Sequence, residues 1–278
     1  MDQNASNFRI EQCEASDFLT NYPKGSVDLV LTSPPYWCQR RYGDDPRELG
    51  TEPRVTDYID HLVLVLHQAW QPLAISGWLC VNIADTYANQ PGGYRHSESS
   101  KISANNRKNA ATAPKRSLTG LPFKSQAGVP ERLKLAMIDL GWKCRNTIVW
   151  AKTNPIPTTA DDRWNYSYEV VHCFARSKHS FFDKRGSQVI DYARGDVWSI
   201  GGSKKSDTGH PALMPESLVL RLIEQLSPLG GLVIDPFAGS GTVPRLAAAN
   251  GRIGHGGDLL NWNERRKEPR EDGTTRAE

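Results

Sequence analysis

Residues 232–242 read Leu-Val-Ile-Asp-Pro-Phe-Ala-Gly-Ser-Gly-Thr, and this stretch decides the class of fold. The short apolar run Leu232–Ile234 predicts a buried strand, and the turn after it leads into a predicted helix over Val243–Asn250. Gly239 and Gly241 allow the backbone of that turn to adopt positive φ and to approach a ligand closely. In an open α/β sheet ligands bind at such strand-to-helix turns, where the free N–H groups of the helix attract an anionic group.

A carboxylate follows the next predicted strand, near residues 252–257. Asp258 stands at the end of that strand, where an acidic residue holds ribose hydroxyls in Rossmann-type sheets. Residue 244 is proline, so the dinucleotide fingerprint G-x-G-x-x-G is not met. A glycine turn alone also fits a packing role, but its combination with Asp258 favours a ligand site.

Strands and helices alternate through the rest of the chain. The predicted strands are Ser26–Thr32, Trp78–Ile83, Asn146–Ala151 and Glu169–Ala175. The predicted helices are Tyr58–Trp70, closed by Pro72 and Gly77, together with Pro130–Leu140 and Pro215–Leu226. Such alternation predicts a layered α/β domain with a mostly parallel sheet.

The sequence Ser33-Pro34-Pro35-Tyr36 ends the first of these strands, because consecutive prolines cannot continue a sheet ladder. The Ser33 hydroxyl and the Pro34 carbonyl can accept hydrogen bonds, and Tyr36 offers a flat face for stacking. This set suits a planar heterocycle with an exocyclic amine. The same residues also fit a strand terminator with an aromatic plug.

The charge is unevenly distributed along the chain. The protein has 278 residues, with 34 Lys and Arg against 31 Asp and Glu, yet residues 86–128 alone carry +6 and the remainder −3. That segment is polar and lacks apolar periodicity, so we interpret it as an inserted loop. It favours contact with a polyanion, with a solvated loop that touches nothing as the alternative.

Composition also excludes several classes of protein. The five cysteines, at positions 13, 38, 80, 144 and 173, form no C-x-x-C pair, which predicts reduced thiols and neither a metal site nor a disulfide framework. No stretch approaches the ~20 apolar residues of a membrane span. The polar residues 1–9 lack the apolar region of a signal peptide, so a cytoplasmic protein is expected. The polar residues 263–278 predict a disordered tail.

The sequences T-S-P-P-Y-W at 32–37 and D-P-F-A-G-S-G-T at 235–242 together resemble the amino-methylating DNA methyltransferases of the circularly permuted beta class. The resemblance runs from about residue 8 to about residue 262. It implies a Rossmann-like methyltransferase sheet in which the catalytic half precedes the half that binds S-adenosylmethionine. The implied parts are a catalytic half at 1–85 and 129–180, a basic DNA-contacting insertion at 86–128, a target-recognition segment at 181–208, a cofactor-binding half at 209–262 and the tail at 263–278.

The resemblance also assigns roles to residues. The catalytic residues would be Ser33, Pro34, Pro35 and Tyr36. The S-adenosylmethionine site would comprise Asp235, Phe237, Gly239, Ser240, Gly241, Thr242, Asp258, His210, Pro211 and Ser217, with Glu14 or alternatively Asp17 at the adenine ring. Contacts to DNA would come from Trp37, Arg40, Arg95, Arg107, Lys108, Lys115, Arg116, Lys124, Lys184, Arg185 and Arg194.

The expected reaction is methyl transfer to the exocyclic N4 of a cytosine flipped out of double-stranded DNA. Ser33 favours cytosine, because adenine enzymes of this type usually present Asp or Asn before Pro-Pro. Carbon-5 methylation is excluded, because it needs a Pro-Cys dipeptide and no proline here precedes a cysteine. The alternatives are adenine N6 methylation, an RNA or protein-amide methyltransferase, and an inactive DNA-binding module on the same fold. A homodimer, a cognate restriction endonuclease as partner and association with the nucleoid stay open.

Overall fold

The central sheet has eight strands within the residues that the computed structural model describes, which are 7–39, 45, 47–88, 121–155, 157, 160–184, 195–202 and 214–260. The strands are β1 (Phe8–Gln12), β2 (Val27–Thr32), β3 (Leu73–Ile83), β4 (Lys143–Lys152), β5 (Tyr168–Ala175), β6 (Val197–Ile200), β7 (Leu232–Asp235) and β8 (Ile253–Asp258). Their order across the sheet is β1-β8-β7-β2-β3-β5-β4-β6. Of these strands only β5 is reversed, since it pairs antiparallel with β3 and with β4 while the other pairs are parallel. The predicted, mostly parallel α/β sheet is therefore confirmed.

Helices cover both faces of this sheet. They are α1 (Ala15–Thr20), α2 (Val55–His67), α3 (Val129–Asp139), α4 (Glu216–Leu226) and α5 (Thr242–Ala249), with a 3₁₀ turn at Gln68–Trp70. Side chains of α2 and α3 are buried in one core cluster with Val30 of β2, and side chains of α4 and α5 are buried in a second with Leu29 and Leu31. Because both faces of β2 are covered, the strand is apolar along most of its length. None of the described helices is both long enough and apolar enough to cross a membrane.

Most predicted elements are present within a few residues of their predicted bounds, but the predicted boundary at Gly77 is wrong. Strand β3 begins at Leu73 and continues through this glycine. The register between β2 and β3 shifts here, and a Cβ on Gly77 would lie 2.9 Å from the Asp28 carbonyl oxygen. Gly77 therefore permits close backbone contact within the strand and does not end an element.

Three elements had no clear signal in the sequence. Strands β1 and β6 are the two edges of the sheet, and each pairs with a single neighbour. Edge strands of four or five residues have mixed exposure, so they show no buried apolar run. Helix α1 has six residues, too few for a helical repeat to be recognised.

The two ends of the predicted insertion meet at the end of β3. The Ala88 amide donates to the Ser125 carbonyl at 2.8 Å, and the Lys124 amide donates to the Ala88 carbonyl at 2.9 Å. Closer to the end of β3, the Ala127 amide donates to the Thr86 carbonyl at 2.9 Å. Residues 89–120 and the predicted tail lie outside the described residues, so the expectations for them stay predictions.

Candidate active site

The Ser33–Tyr36 corner directly follows β2, and neighbouring segments hold it in place. The hydroxyl of Tyr58, on α2, donates to the Pro35 carbonyl at 2.9 Å. The Cys38 amide donates to the Gly50 carbonyl at 2.8 Å. Ser33 and Tyr36 are half-buried while Pro34 is buried. The corner is therefore a fixed surface at the carboxyl edge of the sheet.

The Tyr36 hydroxyl belongs to a buried polar network, which we call the tyrosine network. It donates to Glu169 Oε2 at 2.6 Å and accepts from Asn82 Nδ2 at 2.7 Å. The Ser33 hydroxyl donates to the Tyr36 oxygen at 3.3 Å. Asn82 Nδ2 also donates to Glu169 Oε2 at 2.8 Å, and Lys152 Nζ donates to Glu169 Oε1 at 2.6 Å.

The reversed direction of β5 creates this network. Strands β2, β3 and β4 point the same way, so Ser33, Asn82 and Lys152 lie near their carboxyl ends. Because β5 runs the other way, its first residues lie at this same edge, and Glu169 sits opposite Trp150 in the register with β4. A buried carboxylate thus comes within hydrogen-bond distance of Tyr36, 133 positions away in the chain.

Burial, together with the negative charge and hydrogen bond of Glu169, raises the pKa of Tyr36 well above its usual value. The phenol therefore stays protonated and acts as a donor to the carboxylate. Glu169 is only 9% exposed, and Lys152 provides the opposite charge that a buried carboxylate needs.

A second constellation forms at the end of the neighbouring strand β7. Asp235 is buried there, and its Oδ1 accepts from the Thr32 hydroxyl at 2.6 Å and from the Phe237 amide at 3.0 Å. Burial raises the pKa of Asp235 to about 7, although these two hydrogen bonds oppose the shift. The bond from Thr32 joins this strand end to β2, immediately before Ser33.

The turn after Asp235 has the backbone that its glycines predict. Gly239 and Gly241 have φ of +53° and +82°. A Cβ on Gly241 would clash with the side chain of Ile10 on β1. Both glycines therefore adopt a backbone conformation that other residues rarely take, and at Gly241 a side chain would also have to displace the end of Ile10.

Asp258, at the end of β8, holds the same turn. Its Oδ2 accepts from the Gly239 amide at 2.8 Å, and its Oδ1 accepts from the Leu260 amide at 2.9 Å. The Cys13 amide donates to the Asp258 backbone carbonyl at 2.9 Å, and Glu14, the next residue, directly precedes α1. The glycine turn, Asp258 and Glu14 therefore lie at one edge of the sheet, next to the Ser33–Tyr36 corner.

The structure corrects the prediction for Trp37. Its side chain is 2% exposed and belongs to the apolar core, and its indole N–H donates to the Glu52 carbonyl at 2.9 Å. A buried ring whose donor is already satisfied is not available to DNA, so the expected contact is wrong.

The other predicted residues are placed as follows. Lys124 is exposed and forms an ion pair with Asp162, Lys184 is exposed, and Ser217 is exposed in the first turn of α4. Ser240 and Thr242 are half-buried in the glycine turn. The remaining candidates lie outside the described residues: Arg40, Arg95, Arg107, Lys108, Lys115, Arg116, Arg185, Arg194, His210 and Pro211.

Sequence reasoning missed three members of the tyrosine network: Asn82, Lys152 and Glu169. Asn82 and Glu169 carried a signal, since each is polar within or beside a buried apolar strand. A polar side chain in such a run must find a partner, but the sequence does not say which one.

Comparison with known proteins matches most of the chain to one family. The family model described as DNA methylase, for N6 and N4 methyltransferases, matches residues 27–259. The Type II methyltransferase M.Cfr9I of Citrobacter freundii is 34% identical over 238 residues, covering 83% of this chain and 76% of that protein. The Type II methyltransferase M.SmaI of Serratia marcescens is 29% identical over 249 residues, covering 87% of this chain and 83% of that protein.

Solved structures show the same fold. The PvuII DNA methyltransferase (cytosine-N4-specific) has a TM-score of 0.66 at 19% identity, covering 90% of this chain and 81% of that one. TTHA0409 from Thermus thermophilus, in complex with S-adenosyl-L-methionine, has a TM-score of 0.64 at 21% identity, covering 93% and 90%. With the family match over residues 27–259 and the identity to M.Cfr9I, the chain belongs to the N6/N4 family of DNA methylases.

Proposed function

We propose that this chain is a site-specific DNA methyltransferase that transfers a methyl group from S-adenosylmethionine to the exocyclic N4 of a flipped cytosine in duplex DNA. The observation that carries the proposal is the adjacency of the Ser33–Tyr36 corner and the glycine turn on the neighbouring strands β2 and β7. The corner offers hydrogen-bond acceptors for an amine, and the turn offers space and backbone N–H groups for the methyl donor.

The glycine turn fits S-adenosylmethionine. Gly239 and Gly241 have positive φ, so the backbone of the turn can approach a ligand closely, and Asp258, which holds the turn, is the proposed contact to the ribose hydroxyls. When bound, S-adenosylmethionine supplies an electrophilic methyl group on a sulfonium. Glu14 is the proposed contact to the adenine ring. The solved complex of TTHA0409 with S-adenosyl-L-methionine supports this molecule as the methyl donor.

Ser33 and Pro34 are the proposed acceptors for the amine of the target base. The Ser33 hydroxyl proton is directed to Tyr36, so toward a base its oxygen acts as an acceptor. The Pro34 carbonyl would accept the second N–H. Both bonds favour a pyramidal nitrogen and hold its lone pair toward the methyl group, which is catalysis by position and electrostatics.

The choice of cytosine rests on Ser33. A serine hydroxyl is short and neutral. The Asp or Asn that usually stands at this position in adenine-specific amino-methyltransferases reaches farther into the site. The cytosine-N4 specificity in the name of the PvuII enzyme, which shares the fold, supports this choice. Adenine N6 methylation is the alternative outcome of the test below.

DNA binding is assigned to two segments. We propose that the basic residues of 86–128 neutralise phosphates and that 181–208 contributes to the recognition of bases. The Lys124–Asp162 pair is exposed, so it contributes little stability and can exchange for a phosphate. Flipping the target base costs a few kcal/mol of stacking and pairing, which contacts in the pocket must offset. The Type II names of the relatives support a cognate restriction endonuclease as a functional partner.

The test is to identify the methylated nucleoside. Duplex DNA treated with the purified protein and S-adenosylmethionine is digested to nucleosides and examined by mass spectrometry, beside RNA and protein substrates. We expect N4-methylcytosine from the wild type and none from Ser33→Ala. Ser76→Ala, at the opposite end of β3 from the site, is the matched control and should retain full activity.

The outcomes separate the alternatives. N6-methyladenine as the sole product would contradict the cytosine assignment and leave the amino-methylation chemistry standing. Methylated RNA or protein without methylated DNA would contradict the substrate class. Full activity in Ser33→Ala would contradict the role of the corner.

A further inference from the structure

We propose that Ser33, Tyr36 and Glu169 form a proton relay that carries away the proton displaced from the target amine. This inference rests on the proposed function only in that the reacting group is a base amine, whether of cytosine or adenine. It assigns a function to Tyr36 and Glu169 beyond the shape of the pocket.

The relay is a continuous chain of hydrogen bonds from the surface of the corner to a buried carboxylate. Ser33 Oγ lies 3.3 Å from the Tyr36 oxygen, and the Tyr36 oxygen lies 2.6 Å from Glu169 Oε2. The first distance is long, as hydrogen bonds in a catalytic site often are before substrate binds. The second is short, as expected for a hydroxyl that donates to a carboxylate.

The direction of proton transfer follows from the donors around Tyr36. Asn82 Nδ2 donates to both the Tyr36 oxygen and Glu169 Oε2. Glu169 can only accept while it is ionised, so the Tyr36 proton must point toward it. The Ser33 proton in turn points toward Tyr36. Each hydroxyl is therefore already oriented to pass its proton toward Glu169.

The transfer balances as follows. The amine lone pair forms a bond to the methyl carbon of the sulfonium donor, and the carbon–sulfur bond breaks with its electron pair left on sulfur. The amine proton moves to Ser33 Oγ, the Ser33 proton moves to the Tyr36 oxygen, and the Tyr36 proton moves to Glu169 Oε2. Serine and tyrosine end neutral, and Glu169 ends as a carboxylic acid that loses its proton to water before the next turnover.

Lys152 places a positive charge beside the acceptor. Its ammonium lies 2.6 Å from Glu169 Oε1, the oxygen that the relay does not use. One oxygen of the carboxylate is therefore neutralised by charge, and the other faces Tyr36 and Asn82. The oxygen that faces Tyr36 is therefore not the one paired with the ammonium.

The competing explanation is that Glu169 merely fixes the orientation of Tyr36. Glu169→Gln separates the two, because the glutamine carbonyl can still accept from Tyr36 and Asn82 but cannot take up a proton. The relay predicts that the single-turnover rate of methyl transfer falls by roughly 10²-fold or more, the usual contribution of general-base catalysis. The affinities for S-adenosylmethionine and for DNA should not change.

Three companion variants complete the experiment. Glu169→Gln with Lys152→Met removes the charge that has lost its partner, and it should remain as slow as the single variant. Tyr36→Phe keeps the ring and should be equally slow. Combining Tyr36→Phe with Glu169→Gln should be no slower than either alone, because members of one relay act as a unit. Ser76→Ala is the control that should keep the wild-type rate.

Two further measurements detect proton transfer itself, which a purely structural role of Glu169 does not involve. The wild type should show a normal solvent deuterium isotope effect on the single-turnover rate, and Tyr36→Phe should lose it. An infrared band of a protonated carboxyl group should appear on methyl transfer in the wild type and be absent in Glu169→Gln.

The relay is refuted if Glu169→Gln transfers methyl groups at the wild-type rate, or if its slower rate comes with weakened substrate binding and an unchanged isotope effect. If Glu169→Gln does not fold, Tyr36→Phe decides, and a wild-type rate in that variant overturns the relay. A wild-type enzyme that methylates no base amine overturns the proposed function itself. Normal methylation by Glu169→Gln overturns the relay alone.

Discussion

Replacing Asp235 by asparagine is expected to change how the free energy of unfolding depends on pH. Asp235 is 3% exposed, and burial raises its pKa from 3.8 to about 7 in the folded protein. Between about pH 4 and pH 7 the folded chain therefore holds one proton more at this site than the unfolded chain. Stability must then fall as the pH rises through this window, and the loss is complete above the folded pKa.

The size of the effect follows from the two pKa values. Each factor of ten in the ionisation constant corresponds to about 1.4 kcal/mol, so the carboxylate destabilises the fold by roughly 4 kcal/mol above pH 7. From pH 5 to pH 7 the change is about 2–3 kcal/mol. Asparagine keeps an oxygen that can accept from Thr32 and from the Phe237 amide, but it does not ionise.

The assay is urea unfolding of the wild type and of Asp235→Asn at pH 5, 6, 7 and 8. We expect the variant to gain about 2–3 kcal/mol relative to the wild type between pH 5 and pH 7, with little further change at pH 8. Asp139→Asn, an exposed carboxylate at the end of α3, controls for the loss of one negative charge. Parallel pH profiles for the wild type and Asp235→Asn would refute the reasoning.

Asp258→Ala is expected to weaken S-adenosylmethionine binding by about 1.5–3 kcal/mol, the contribution of a hydrogen bond to a charged acceptor, and calorimetry that finds an unchanged affinity would remove Asp258 from the site. Gly241→Ala is expected to destabilise the fold by about 2–4 kcal/mol, because alanine meets both a positive φ and the Ile10 side chain. Thermal unfolding measures this loss of stability. Adding Ile10→Val to Gly241→Ala should recover only the part of the loss that comes from the contact with Ile10. An unfolding midpoint equal to the wild type in Gly241→Ala would show that the turn tolerates a side chain. Alanine at four basic positions of the insertion should flatten the salt dependence of duplex binding by about 0.9 for each lost phosphate contact, and an unchanged slope would mean a merely solvated segment. These positions are Arg107, Lys108, Lys115 and Arg116.

Local sequence patterns predicted most of the secondary structure and the two motifs of the candidate site. Apolar runs and helical spacing act over a few residues, so they located most strands and helices and both site motifs. The glycine turn is a further case, since the positive φ at Gly239 and Gly241 follows from residue type. Trp37 marks the limit of such reasoning, because an aromatic residue beside a polar corner carries no signal of whether it faces solvent or core.

The sequence by itself determined the class of fold, the Ser33–Tyr36 corner and the glycine turn with Asp258, because each depends on neighbours in the chain. Only the tertiary structure decided which strands lie side by side and that β5 is reversed. Strand order and direction bring Thr32 to Asp235 across 203 positions and Tyr36 to Glu169 across 133. Periodicity reports which face of a strand is buried but not which strand covers its edge, so the tyrosine network became visible only when the sheet was assembled.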